Sequence, residues 1–192
     1  IAVEEGAITP LIDLVRGGTG EGKASAAYAL RKLAGKDAAI ARSIAKKGGI
    51  APLITLVRDG TEEGKAMAAY ALGILALGGA AIAQSIAREE GAIALLIDLV
   101  RDGTEEGKTY AALALGNLAG SDTAIAQSIA REEGAIALLI DLVRGGTDDG
   151  KTYAAYALGK LAESGAAIAQ SIVIEEGAIA LLIDLVRGGT DD

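Results

Sequence analysis

From Gly91 to Glu133 the chain reads GAIALLIDLVRDGTEEGKTYAALALGNLAGSDTAIAQSIAREE, and from Gly134 to Glu176 it reads GAIALLIDLVRGGTDDGKTYAAYALGKLAESGAAIAQSIVIEE; the two stretches differ at 10 of 43 positions. Outward from this pair, a motif of leucine, isoleucine, any residue, leucine, valine and arginine recurs at Leu11–Arg16, Leu53–Arg58, Leu96–Arg101, Leu139–Arg144 and Leu182–Arg187, at offsets of 42, 43, 43 and 43. A fixed period of this length marks a tandem array in which each unit buries its apolar face on the next. Near-identity of neighbouring units points to recent duplication or deliberate design. One solenoid domain is expected over residues 1–192, with units at about 6–47, 48–90, 91–133 and 134–176 and a partial unit at 177–192.

Within a unit, Ile93, Leu96, Ile97 and Val100 follow the spacing i, i+3, i+4, i+7, which predicts an amphipathic helix ending near Arg101. Asp102-Gly103 breaks it. Thr104 is placed to cap a second helix, with Glu105 and Glu106 in the first turn where they complement the helix dipole, and this longest helix runs through Leu115 and Leu118 to about Ala119. Gly120-Ser121-Asp122 is the next break and cap, and a third helix carries Ile125 and Ile129 on one face before Gly134 turns the chain into the next unit.

Composition limits the chemistry. The 192 residues include no Cys, His, Trp or Phe, so disulfides, a thiol nucleophile, the usual zinc ligands and an imidazole base are all absent. A net charge of −8 argues against a broad footprint for nucleic acid or an anionic membrane. No cofactor or metal is expected. The start, Ile1 to Gly6, lacks the basic and apolar segments of an export signal, which predicts a cytoplasmic protein, and Met67, the only methionine, implies a start that was removed or lies upstream. Ala66 to Ala87 runs without a charge for 22 residues, but Gly78-Gly79 and Gln84-Ser85 interrupt it, so two Ala-rich helices around a turn are expected rather than a membrane span.

Gly145 to Thr152 fits the phosphate-loop pattern G-x-x-x-x-G-K-T. Asp148 and Asp149 would oppose a triphosphate there, and the same turn recurs at Gly17–Ala24, Asp59–Ala66 and Asp102–Thr109 without completing the pattern, so a repeated helix–helix turn with no nucleotide is expected. Carboxylate pairs such as Glu89/Glu90 and Glu132/Glu133 recur with the unit as helix-end charges, and no acid and base converge; no enzymatic activity is expected.

The informative positions are those that vary between otherwise alike units. Four slots of the long helix read Ser25, Tyr28, Lys32, Gly35; then Met67, Tyr70, Ile74, Leu77; then Tyr110, Leu113, Asn117, Gly120; then Tyr153, Tyr156, Lys160, Glu163. The spacing i, i+3, i+7, i+10 places them in one stripe, and the repeated leucines beside it (Leu30/Leu33, Leu72/Leu75, Leu115/Leu118, Leu158/Leu161) are assigned to the core, so the stripe is expected to face outward.

The three-helix grammar, the period, the glycine ahead of each Ile-rich helix (Gly6, Gly91, Gly134, Gly177) and the run Ala114–Ala119 resemble the armadillo repeat family over the whole chain. The resemblance implies an all-α, right-handed superhelical solenoid of three-helix repeats, with a HEAT-like solenoid as the alternative. It also implies a concave groove lined by the long helices, in which an asparagine ladder holds an extended peptide and aromatic residues four positions earlier shape pockets. Asn117 matches the ladder; Lys32, Ile74 and Lys160 stand in its place elsewhere, Tyr28, Tyr70 and Tyr156 occupy the aromatic slot, and Leu113 departs from it. The family's acidic groove for basic peptides is not evident, since the stripe offers Lys32 and Lys160 against Glu163.

The function expected on these grounds is that of a binding scaffold, engineered or consensus-like, taking a peptide or protein segment along Ser25, Tyr28, Lys32, Met67, Tyr70, Ile74, Leu77, Tyr110, Leu113, Asn117, Tyr153, Tyr156, Lys160 and Glu163. Neutral filling between units is the bland alternative for the same residues. A structural rival is head-to-tail self-association through open ends at Ile1, Val3 and Leu185.

Overall fold

A computed structural model describes residues 2–174 and Ile183. The partial unit at 177–192 and its motif Leu182–Arg187 lie outside the described residues, Ile183 excepted, as do the end residues Ile1 and Leu185 and the side chain of Val3. Twelve helices and no strand occur among the described residues: α1 (Ala2–Gly17), α2 (Gly20–Ala34), α3 (Ala38–Lys46), α4 (Ile50–Asp59), α5 (Glu62–Ala76), α6 (Ala80–Arg88), α7 (Ala92–Asp102), α8 (Glu105–Ser121), α9 (Thr123–Arg131), α10 (Ala135–Gly145), α11 (Asp148–Glu163) and α12 (Ala166–Ile174). They fall into four triplets, each an Ile-rich helix, a long helix and a short one.

Threonine starts every long helix. The Oγ1 atoms of Thr19, Thr61, Thr104 and Thr147 accept the backbone N–H of Gly22, Gly64, Gly107 and Gly150, each at 3.1 Å. Each bond satisfies an N–H that the first turn leaves without a helical partner, at a gain of about 1 kcal/mol. The Thr147 cap also disposes of the phosphate-loop resemblance in structural terms. A helix, α10, precedes that segment where a phosphate loop needs a strand, and the Gly150 N–H is already taken.

Units join at left-handed glycines: Gly48, Gly91 and Gly134 have φ of 78°, 74° and 78°. A side chain there would be strained, which is why the short helices α3, α6 and α9 can reverse into α4, α7 and α10 at those points. Gly6 differs. The sequence places a junction glycine there, yet α1 runs through it unbroken from Ala2 to Gly17. Continuing the helix satisfies backbone groups that a turn would leave open, and a glycine permits either conformation. The long helix of the third unit also extends past its expected end, through Gly120 to Ser121, before Asp122 caps α9.

The charge-free stretch Ala66–Ala87 divides into the end of α5, a turn at Leu77–Gly79 and most of α6. Gly79 has φ of 138°, a conformation that glycine alone adopts freely. No helix among the described residues is long and apolar enough to cross a membrane.

One continuous core runs the length of the array, built from the isoleucines and leucines of the first helices, such as Ile12, Leu53, Leu96 and Leu139, and from Ile44, Ile86 and Ile129 of the short ones. The long helices pack flank to flank, α2 on α5, α5 on α8 and α8 on α11. Small residues permit this: Ala68, Ala69, Ala71, Ala111, Ala112, Ala114, Ala154 and Ala157 are all buried. A Cβ added at Gly73 would lie 3.0 Å from the Ala114 Cα, and one at Gly116 would lie 2.6 Å from the Tyr156 ring and 3.2 Å from the Ala157 Cα. The outer flank of α11 is different, because a Cβ at Gly159 would meet nothing within 4 Å.

Substitutions at these equivalent glycines should act in opposite directions. Gly73→Val should destabilise the fold by about 1–3 kcal/mol, because backbone must move to admit it. Gly159→Ala should stabilise it by about 0.5–1 kcal/mol through helix propensity alone. Chemical denaturation of the two variants checks this; equal shifts would show that flank packing does not control the array.

Candidate functional site

The four variable slots lie on adjacent long helices, but they do not share one degree of exposure. Ser25, Tyr28 and Lys32 on α2 are exposed, as are Leu77, Gly120, Tyr156 and Glu163. Met67, Tyr70, Ile74, Tyr110, Tyr153 and Lys160 are half-buried. Leu113 and Asn117 are buried, at 9% and 4% exposure, which corrects the expectation of an outward stripe at those two positions. Every residue of α8 from Ala111 to Ala119 is buried between α5 and α11, and Tyr156 of α11 reaches Asn117; on α5, which also has two long neighbours, the larger Tyr70 and Ile74 remain half-buried. On α2 and α11 the residues equivalent to Leu113 remain open, Tyr28 at 46% and Tyr156 at 37%.

Asn117 is occupied within the protein. Its Nδ2 donates to the Gly73 carbonyl at 2.9 Å, and its Oδ1 accepts the Tyr156 hydroxyl at 3.2 Å. Gly73 lies in the last turn of α5, where carbonyls lack helical donors, so Asn117 acts as a cap across helices. Ser121 adds to this, its hydroxyl lying 2.7 Å from the Asn117 carbonyl and 3.4 Å from that of Ala76. The Asn117 amide thus spends one N–H and one oxygen lone pair inside the protein, and at 4% exposure it is largely covered.

Aromatic residues run across the units. Tyr70 and Tyr110 stack with ring centroids 4.1 Å apart and planes inclined by 22°. The Arg31 guanidinium lies over Tyr28 at 4.8 Å and over Tyr70 at 4.3 Å, and Lys32 lies over Tyr28 at 5.6 Å. Arg31 lies outside the sequence-predicted stripe. A signal for it exists in the repeat comparison, since it stands where the other units carry Gly73, Gly116 and Gly159.

Electrostatics divides the face into unlike ends. Lys160 is held by Glu163, with Nζ 2.9 Å from a carboxylate oxygen, and that bond keeps the lysine protonated above its ordinary range. Lys160 is thus paired within its own helix, unlike Lys32 at the opposite end. In the middle, burial raises the Tyr110 phenol, and the Glu106 carboxylate and Tyr70 reinforce it; burial likewise raises Tyr153, with Tyr70 and Asp149 adding to it. Off the stripe, Gln84 donates to the Asp122 carboxylate at 2.7 Å, and this bond, with the N–H groups of Ala124 and Ile125, holds that carboxyl below its usual range.

The side-by-side long helices, the left-handed glycine junctions and the three-helix unit define an armadillo-type repeat solenoid. No family model and no curated protein matches the chain. Solved structures match over almost its whole length. An engineered protein from a structural genomics consortium has a TM-score of 0.86 at 25% identity, covering 96% of this chain and 73% of that one. A computationally designed armadillo repeat protein for modular peptide recognition has a TM-score of 0.81 at 27% identity, covering 94% and 74%. A designed armadillo repeat protein in complex with the peptide (KR)4 has a TM-score of 0.74 at 24% identity, covering 95% and 81%, a likeness of fold.

Both the amide bonds and the half-buried phenol at this face have measurable consequences. Asn117→Ala should cost about 1–3 kcal/mol of stability, because the Gly73 carbonyl and the Tyr156 hydroxyl both lose a partner; an unchanged denaturation midpoint would show that neither bond matters. The raised Tyr110 phenol favours the neutral form in the fold, so its contribution is complete below the ordinary tyrosine value of about 10 and declines as pH rises past it. As pH rises past about 10 the melting temperature of the parent protein should therefore fall more steeply than that of Tyr110→Phe, and parallel curves would refute the linkage.

Proposed function

We propose that the chain is a non-enzymatic peptide-binding repeat scaffold whose long helices form a concave face for an extended peptide or protein segment. The observation that carries this reading is the flank-to-flank array of α2, α5, α8 and α11, which presents a different set of partly open side chains in each unit on an otherwise repeated framework. The structural neighbour designed for modular peptide recognition, at 27% identity, supports the same reading. Helix axes about 8–10 Å apart match about two to three residues of an extended chain, so the four helices would span a segment of roughly eight to twelve residues.

Met67, Tyr70, Ile74, Leu77 and Tyr110 form the apolar centre of the proposed site. Leu77, at 60% exposure, is its most open member, an apolar side chain that gains most from being covered. Tyr28, Ser25 and Lys32 extend the site on one side; Tyr153, Tyr156, Lys160 and Glu163 extend it on the other. Leu113 and Asn117 serve it as supporting floor. The alternative, head-to-tail self-association, would use the outer flank of α11, where Gly159 has open space beside it.

Selection from a displayed random octapeptide library tests the reading. Enriched peptides should bind the parent protein and lose about 1–3 kcal/mol on Leu77→Ala or Tyr28→Ala with little change in melting temperature, whereas Ile74→Ala should lower both. Asp98→Ser, an exposed change on α7, should do little. No enrichment, together with concentration-dependent association in sedimentation that Gly159→Leu abolishes, would replace peptide binding by self-assembly.

A further inference from the structure

We infer that the corner formed by Tyr28, Arg31, Lys32 and Tyr70 is a carboxylate-binding subsite that receives an aspartate or glutamate side chain of the bound segment. This rests on the peptide-binding reading above and adds to it the chemistry and the register of one ligand residue.

The first ground is the state of Arg31. Its guanidinium is held between two tyrosine rings, 4.8 Å from one centroid and 4.3 Å from the other. Its Nε is buried without a hydrogen-bond partner, while its Nη groups are not enclosed in that way. No carboxylate among the described residues pairs with Arg31 or with Lys32. On the long helices, Lys65 pairs with Glu62, Lys108 with Glu105 and Lys160 with Glu163, each within its own helix. Two positive charges on one exposed corner without a counter-ion form a surface complementary to an anion.

The second ground is geometry. Contact with two rings, at 4.8 and 4.3 Å, restricts the planar guanidinium, so less orientational freedom is lost when it pairs, and a guanidinium fork matches the two oxygens of a carboxylate. Lys32, over Tyr28 at 5.6 Å, adds a second donor from the adjoining position of α2.

The third ground is the repeat itself. The slot holds glycine in the other three units, so an arginine is not required to build the long-helix array. At the far end the equivalent of Lys32 is Lys160, and Glu163 neutralises it. Of the two lysines in the variable stripe, the one at α11 is thus neutralised and the one at α2, beside Arg31, is not. A segment lying on the face would place its acidic residue over the first two units and apolar residues over the second and third.

The octapeptide library distinguishes this inference from the reading it rests on. Selection on the parent protein should enrich Asp or Glu by about threefold or more over input at one fixed position, with apolar residues preferred elsewhere. Selection on Arg31→Gly, which installs the residue of the other units, should lose the acidic preference and keep the apolar one; Arg31→Gln repeats the comparison with a better helix former. In a synthetic peptide from the parent selection, exchanging that Glu for Gln should weaken binding about tenfold on the parent and less than about twofold on either variant. Peptides enriched without an acidic position, or an acidic preference that survives both substitutions, would overturn the subsite and leave peptide binding standing. A library that yields no binders removes peptide binding and the subsite with it.

Discussion

The close approach of the long helices governs everything else in this molecule. At Gly73 an added Cβ would crowd the Ala114 backbone at 3.0 Å, and at Gly116 it would displace the Tyr156 ring and crowd the Ala157 backbone at 3.2 Å. Such contacts demand small residues on both flanks, which explains why α5, α8 and α11 are rich in alanine and lack the clear polar side of an ordinary surface helix. Alanine contributes little apolar area, so large side chains must supply the core elsewhere. They come from the Ile-rich first helices and the short third helices, whose Ile12, Ile44, Leu53, Ile86, Leu96 and Ile129 are almost fully buried. Within each unit, then, the first and third helices bury the large residues, while the long second helix sets the spacing between units.

This division explains how much the sequence reveals. Periodicity exposes the repeat, and threonine followed by acidic residues and glycine exposes the start of each long helix, because both are local consequences of helix geometry. Burial on the long helices is harder to read. Leu113 and Asn117 occupy the same helical stripe as exposed Tyr28, Lys32 and Tyr156, and a helical wheel treats them alike. What differs is the neighbour: α8 has long helices on both flanks and these carry their own side chains toward it. The pattern of a single helix holds no information about that. Gly6 shows the same limit in reverse, since a residue able to turn does not turn when the helix can continue through it.

Asn117 illustrates how one residue type can do different work on similar folds. Its position matches a peptide-holding ladder in the resembling family, yet here its amide links the end of α5 to α11 through Gly73 and Tyr156. Buried in this way, the amide stabilises the fold by satisfying the Gly73 carbonyl at the end of α5 and by anchoring the Tyr156 hydroxyl. The neighbouring units, with Lys32, Ile74 and Lys160 at the slot, cannot make the same link. The array is therefore uneven in its cross-links as well as in its variable residues, with this side-chain link running only from the second long helix through the third to the fourth.

That unevenness bears on recognition. Where α5, α8 and α11 are joined by Asn117 and by glycine contacts, Met67, Tyr70, Ile74, Tyr110 and Tyr153 are half-buried and their rotamers are restrained by packing. At α2 the framework is looser in composition, and the arginine replaces a glycine with a long side chain that needs other means of being held. Tyr28 and Tyr70 provide it, enclosing the guanidinium while Tyr70 stacks onward to Tyr110. A cation confined by rings retains its charge but gives up much of its mobility, so less entropy remains to be lost when an anion docks. The stack also connects this corner mechanically to the apolar centre of the face. A change at Tyr70 should consequently reach both regions, whereas a change at Leu77, exposed at the rim, remains local; the distinction follows from which side chains share a ring face, and it is invisible in either helix taken alone.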